Sequence, residues 1–214
     1  KDPRTLSTRG ASAYLKIAEG CNRRCGFCVI PQIRGKQRSR APEDIVLEAQ
    51  ALAERGVLEL NLVSQDTIAY GRDLGGDVDL ELLVSRLAEV RGIEWLRLHY
   101  LYPEKLSERL LGLLREHDKL VPYVDMPLQH AAPTMLKRML RGGSTELRPF
   151  IERLRKSVPN VVIRSAFIVG HPGETDEEFA ALRDFVRWAQ LDHVGVFQYS
   201  DEETCTSFEL EHKV

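Results

Sequence analysis

The chain has 214 residues, 43% hydrophobic and 29% charged, which is enough apolar material for one compact domain with a sizeable core. Thirty basic against 32 acidic residues leave a formal net charge of −2, so no global charge asymmetry points to nucleic acid or to a membrane. No apolar run reaches the ~18 residues of a membrane span, and the start does not read as a signal peptide. Four cysteines, three of them within eight residues, do not make a secreted disulfide framework. In a reduced cytosol such a cluster binds metal or does redox chemistry, so a cytoplasmic protein without membrane contact is expected. The sequence opens at Lys1 without an initiator methionine, which predicts a piece of something longer.

Along the chain, short β-rich runs alternate with helical patterns, with no internal repeat and no low-complexity segment. Residues 13–18 (AYLKIA) read as strand one. Pro42 opens a helix over 43–54 at the favoured first-turn position, with Glu43 and Asp44 at its positive end and Gly56 as its stop. Residues 57–63 are strand two, 80–90 a helix with leucines at helical spacing, 95–101 strand three and 104–117 another helix. Strand four covers 121–126 and closes at Pro127. A short helix runs from Pro133 to about residue 140, a Gly142-Gly143 break follows, and a helix over 146–157 comes next. Strand five, 161–169 (VVIRSAFIV), is apolar enough to be buried on both faces. A helix over 176–190 and strand six at 194–199 complete the pattern.

Six β/α units in order imply a parallel sheet with right-handed crossovers. That is short of a full eight-unit barrel of typically ~250 residues. The expected fold is therefore α/β, a partial open (β/α)6 barrel rather than a doubly wound sheet. In either fold the functional residues lie beyond the C-terminal ends of the strands.

Strand one leads directly into Glu19-Gly20-Cys21-Asn22-Arg23-Arg24-Cys25-Gly26-Phe27-Cys28, a C-x3-C-x2-C spacing. Thiolates are soft ligands suited to zinc or iron–sulfur. A closed zinc site wants four ligands, usually in C-x2-C pairs. Here three cysteines stand at unequal spacing with no nearby histidine, and Cys205 is far away. Three thiolates on a cubane leave one iron open to a chelating ligand, so Cys21, Cys25 and Cys28 are read as holding a [4Fe–4S] cluster.

With aromatic Phe27 before the last cysteine, this motif resembles the signature of the radical S-adenosylmethionine superfamily. The resemblance implies that the open iron chelates the methionyl group of S-adenosylmethionine, and that one electron splits the sulfonium to give a 5′-deoxyadenosyl radical that abstracts hydrogen. The cofactor carries the hard chemistry, and the barrel orients it and excludes water.

Further motifs narrow the resemblance: Cys28-Val29-Ile30-Pro31, Arg34-Gly35, Ser64-Gln65-Asp66-Thr67, Tyr102-Pro103, Pro127-Leu128-Gln129-His130, Arg141-Gly142 and Gly170-His171-Pro172-Gly173-Glu174-Thr175. Together they look like the methylthiotransferases over nearly the whole chain. The Gln-Asp-Thr, Tyr-Pro and Pro-Leu-Gln-His forms resemble the branch acting on a ribosomal protein. The sister branch, acting on tRNA adenosine, usually has Gln-Asn where Gln65-Asp66 stands. The resemblance implies methylthiolation of the β-carbon of an aspartate in a small-subunit ribosomal protein, with an electron donor of the flavodoxin or ferredoxin type. It also implies an N-terminal domain with a second [4Fe–4S] cluster and a C-terminal barrel of the TRAM type, neither of which is in residues 1–214. These residues form the catalytic domain alone, with its core at about 11–199. Asp201-Glu202-Glu203-Thr204-Cys205-Thr206 departs from the usual Glu-Glu-Gly-Thr pattern, and Cys205 reads as an incidental thiol. A rival of another class is a zinc-stabilised binding domain without catalysis.

By resemblance, Gly170, Gly173 and Glu174 lie against the adenosine, although an ordinary strand-to-helix loop with a Thr175 or Asp176 cap explains them as well. Arg164 interrupts an apolar strand, and a charge there needs a partner. That partner is either the cofactor carboxylate or an acidic side chain within the barrel. Phe27 contacts adenine or simply packs. Gln65, Asp66 and Gln129, at strand ends, are read as facing substrate or cofactor, or as bonding their own loops. His130 and His171 read as structural. Arg23, Arg24, Arg34, Lys36, Arg38 and Arg40 form a basic 23–40 loop, expected to be solvated or to meet phosphates, RNA among them, and to lower the cysteine pKa values.

Overall fold

A computed structural model describes residues 10–103, 106–141 and 146–214. Six parallel strands form its sheet: β1 (Ser12–Lys16), β4 (Glu59–Val63), β5 (Trp95–Leu98), β6 (Leu120–Asp125), β7 (Val162–Val169) and β8 (His193–Gln198). Their order in space is their order in the chain, β1-β4-β5-β6-β7-β8. A doubly wound sheet reverses direction at a switch point, and this one never does. The partial open (β/α)6 barrel expected from the sequence is the fold observed.

The crossovers are α2 (Pro42–Glu54), α3 (Leu80–Ala88), α4 (Glu108–Glu116), α5 (Pro133–Arg138), α6 (Leu147–Ser157) and α7 (Asp176–Ala189). Pro42 and Pro133 sit in the first turns of their helices, where a missing N–H costs nothing. Asp79 and Ser107 cap α3 and α4 through side-chain oxygens. Thr175 and Glu178 form a full capping box on α7. The Gly142-Gly143 break, and the start expected for α4 at residue 104, lie outside the described residues.

One apolar core joins the outer face of the sheet to the helices. Leu60, Leu62, Leu96, Leu98, Val124 and Ile163 are fully buried against Ile45, Leu83, Leu110, Ile151 and Phe185. At ~25 cal/mol per Å² of apolar surface, this layer is the main source of stability. The other face is polar: Arg97 pairs with Glu59 at 2.7 Å, and Asn61, His99, Asp125 and Arg164 are linked in a row across β4, β5, β6 and β7. Strand β7 is therefore not buried on both faces. Ile163, Ser165 and Phe167 are buried, while Val162, Arg164, Ala166 and Ile168 are half-buried toward the open interior. An open barrel leaves its inner face available to a ligand, and that is the reason for the difference. Periodicity also missed a two-residue antiparallel pair, β2 (Ala18–Glu19) with β3 (Arg38–Ser39), and the short α1 (Ile30–Arg34). Among the described residues no helix is long and apolar enough to cross a membrane.

Candidate functional site

The loop between β2 and α1 carries the three cysteines, and the β2–β3 pair closes its base. The Cys21 N–H donates to the Gly35 carbonyl at 3.1 Å, and the Gly20 N–H donates to Gln65 Oε1 at 2.7 Å. Gly20 has φ +85°, and a Cβ there would lie 2.4 Å from the Lys36 carbonyl oxygen, so only glycine fits the turn into Cys21. Gly26 is held from both sides. Its N–H donates to Met139 O, and its carbonyl accepts from the Ser207 N–H, each at 2.8 Å.

Cys21, Cys25 and Cys28 open together onto a cavity of about 420 Å³. Its other walls come from the C-terminal ends of the strands: Lys16 ending β1, Val63 ending β4 with Ser64 and Gln65 beyond it, Tyr100 and Tyr102 after β5, and Pro127 and Gln129 after β6. Arg23, Phe27, Ile30 and Arg141 complete it. Burial pushes all three thiols up from their ordinary values. Arg141 and Arg23 oppose that rise at Cys25 without reversing it. The expectation that the basic loop lowers the thiol pKa values is thus corrected: desolvation outweighs the nearby cations. Arg34 and Arg40 of that loop pair with Glu19 and Glu48, while Arg24, Lys36 and Arg38 are exposed.

A single zinc ion draws its thiolates to ~2.3 Å from one centre. Among the described residues, no group of three His, Cys, Asp or Glu side chains is drawn together as tightly as that. A cubane spreads its ligands over separate corners, which suits three thiols spaced around one cavity.

Several expected site residues have other occupations. Arg164 is not in the cavity wall. Its Nη1 donates to Asp125 at 2.8 Å, and Asp125 also bonds His99 Nδ1 at 3.0 Å. Its partner in this structure is the acidic side chain within the barrel. We expect Arg164→Leu to leave S-adenosylmethionine affinity unchanged by calorimetry. Its cost in a urea titration should be about 1.5–3 kcal/mol for the lost charged hydrogen bond, toward the lower end because Arg164 is 41% exposed.

Glu174 is likewise engaged, accepting from the Gly170 N–H and from His130 Nε2 at 2.9 Å. His130 Nδ1 accepts from the Ala132 N–H, which leaves its Nε2 as the donor. Gly170 and Gly173 adopt φ +73° and +74°, as this tight loop requires, and none of the three lines the cysteine cavity. Asp66 is 3% exposed and bonds Arg23 Nε at 2.7 Å, so it anchors the cysteine loop and does not face the cavity. Gln65 and Gln129 do face it. Phe27 both lines the cavity and packs on Ala132, Met135 and Met139.

His171 is fully buried. Its Nδ1 bonds Pro172 O, its Nε2 bonds Ser207 Oγ at 2.8 Å, and its ring meets Tyr199. Burial lowers its pKa below the ordinary 6.5, and the Arg138 guanidinium adds to the effect. The unfolded chain then takes up the proton first. Its contribution to stability is full above about pH 6.5 and is lost as the pH falls through the folded value. Thermal melts should show a drop on acidification that His171→Gln reduces.

The sequence patterns do not mark Lys16, Tyr100, Tyr102 or Arg141 as site residues. Tyr102 and Arg141 stand in the Tyr-Pro and Arg-Gly motifs, but no pattern tells which way their side chains point.

A parallel barrel with three cysteines at the mouth after its first strand defines a class. The Radical SAM superfamily model matches residues 15–186, and the chain belongs to that superfamily. Among curated proteins it is 60% identical over its full length to the ribosomal protein uS12 methylthiotransferase RimO of Sorangium cellulosum, covering 45% of that protein. It is 50% identical to the protein of the same name from Solibacter usitatus, over 99% of this chain and 46% of that one. The chain thus spans less than half the length of these relatives. Among solved structures, the radical S-adenosylmethionine methyltransferase TsrM from Kitasatospora setae, determined with cobalamin and a [4Fe–4S] cluster bound, superposes with a TM-score of 0.71 at 21% identity. That match covers 89% of this chain and 37% of TsrM. Methylornithine synthase (PylB) gives 0.64 at 14% identity, over 94% and 57% of the two chains. Both show the shared fold.

Proposed function

We propose that this chain is the radical-generating domain of a methylthiotransferase acting on an aspartate of ribosomal protein uS12. The observation that carries the reading is the convergence of Cys21, Cys25 and Cys28 on one cavity, in a chain 60% identical throughout to a relative bearing that name. Cys21, Cys25 and Cys28 would hold a [4Fe–4S] cluster, which together with S-adenosylmethionine would supply one-electron cleavage of the sulfonium and a carbon radical for hydrogen abstraction.

The chain's own residues hold and shield that chemistry. Gly20, Gln65 and the β2–β3 pair fix the cysteine loop, and Asp66 ties Arg23 to its side. Phe27 and Tyr100 give apolar surface for a flat purine, while Gln65 and Gln129 offer amides to its polar edge or to the sugar. Lys16, Arg23 and Arg141 are the cations in the wall, placed to meet the cofactor carboxylate. The residues closing the cavity exclude water from a reactive radical. A flavodoxin- or ferredoxin-type electron donor, and contact of exposed Arg24, Lys36 and Arg38 with ribosomal RNA, belong to the same proposal. The tRNA rival is disfavoured because the relatives quoted are named for uS12.

Making the radical needs one cluster, and inserting sulfur needs a second sulfur-bearing site, which the resemblance puts in a separate N-terminal domain. Anaerobically reconstituted chain with dithionite should therefore release 5′-deoxyadenosine from S-adenosylmethionine. Mass spectrometry should find no methylthio group on added uS12. No 5′-deoxyadenosine from a full, reducible cluster would sink the reading. A methylthio product from these 214 residues alone would overturn the two-cluster requirement.

A further inference from the structure

Next to Cys25 lies an arrangement that neither the cysteine motif nor the family resemblance assigns. Tyr102 is 7% exposed, and its ring is sandwiched between two guanidinium groups. The Arg23 Cζ lies 3.3 Å from the ring centroid and the Arg141 Cζ 3.9 Å from it. The tyrosine hydroxyl is 3.2 Å from Cys25 Sγ. Arg141 Nη1 donates to that same hydroxyl and also lies 3.6 Å from the sulfur, while its Nη2 donates to Pro127 O. The backbone leading to Tyr102 is pinned on both sides. The Leu101 N–H donates to Asp125 O at 2.8 Å, and Tyr100 O accepts from the Thr67 N–H at 3.2 Å.

The direction of the chain of bonds follows from what each group can do. A guanidinium has only donors, and a ligating thiolate has only lone pairs. Arg141 therefore fills an acceptor position on the tyrosine oxygen, and the tyrosine proton is left to point at the sulfur. We infer that Tyr102, aimed by Arg141, is a positioning residue that donates a hydrogen bond to the Cys25 sulfur and thereby raises the reduction potential of the cluster. The inference rests on the cluster reading above. Its physical basis is that a donor to a cluster sulfur, in a water-poor site flanked by two cations, stabilises the more negative reduced form. Electron entry is then easier without any change in the three ligands.

The test is a redox titration, followed by visible absorption and electron paramagnetic resonance, on reconstituted parent, Tyr102→Phe, Arg141→Gln and the double variant. Phenylalanine keeps the ring between the guanidiniums, so iron and sulfide contents should match the parent. The reduction equilibrium of Tyr102→Phe should fall about tenfold, a midpoint lower by ~59 mV for one electron. Arg141→Gln should shift the midpoint the same way. The double variant should fall short of the sum of the two shifts, because part of the Arg141 effect passes through the Tyr102 hydroxyl and only the remainder through its own contact with the sulfur. A Tyr102→Phe midpoint equal to the parent's, at equal iron content, would overturn the inference, and so would strictly additive shifts. Should Tyr102→Phe fail to fold, an unshifted Arg141→Gln midpoint would overturn it instead. A parent without any reducible cluster would defeat the underlying reading before any variant is compared, so the two failures are told apart.

Discussion

Replacing Cys21, Cys25 or Cys28 by Ala should abolish the reducible iron–sulfur chromophore, and Cys205→Ala should leave it intact. The three loop thiols line one cavity, and each would supply one of three protein ligands to the proposed cluster. With two left, a cubane would have two irons without protein donors, and among the described residues no other Cys, His, Asp or Glu lines the cavity to compensate. Cys205 is also buried, at 5% exposure, and feels Cys28 closely enough for that thiol to help raise its pKa. It does not line the cavity, and it sits just before the 3-10 turn Thr206–Glu209, whose Ser207 bonds the Gly26 carbonyl. Its place is behind the cysteine loop. Iron and acid-labile sulfide counts on the four variants decide the matter, and loss of iron in Cys205→Ala would overturn the ligand assignment.

What could be read from the sequence divides by how local the signal was. The alternation of apolar strands with capped helices gave the order of the six units, because caps such as Thr175–Glu178 and first-turn prolines act within one turn. The cysteine loop was readable for the same reason, since all its ligands fall within eight residues. Long-range pairing was not readable. A lone arginine on an apolar strand has one signature whether it faces a ligand or an acid on the next strand. Only the register sets Asp125 beside Arg164. Glu174 looked like a cofactor residue for want of its partner His130, 44 positions earlier. Arg141 lies 116 residues from Cys25 and reaches the site because α5 ends beside the loop. The β2–β3 pair has two residues per strand, too short for any periodicity to appear.

That small pair makes Gly20 a position where a single methyl group disrupts the site with all three cysteines in place. Gly20→Ala should lose most of the cluster. The residue sits at φ +85°, a conformation that costs an L-residue about 1–3 kcal/mol when imposed. The added Cβ would also lie 2.4 Å from Lys36 O and 2.6 Å from Gly35 O, both backbone atoms that no rotamer change can move. Forcing extra volume into such a contact costs typically about 1–3 kcal/mol more. Relief requires the 35–36 turn to swing away. That turn holds Cys21, whose N–H donates to Gly35 O, while the Gly20 N–H is itself spent on Gln65 Oε1. The strain is therefore released by displacing the first ligand from the other two. The outer core should be untouched, because Leu15 and Ile17 before this turn are fully buried in the main apolar cluster. The protein should thus keep its circular dichroism spectrum and lose iron. Gly75→Ala is the matched control, with φ +74° and nothing within 4 Å of the added Cβ. It should carry the backbone strain alone and retain its iron. Equal iron in Gly20→Ala and the parent would show that the cysteine loop tolerates movement of its first ligand, and that the close backbone contact at Gly20 does not set the site.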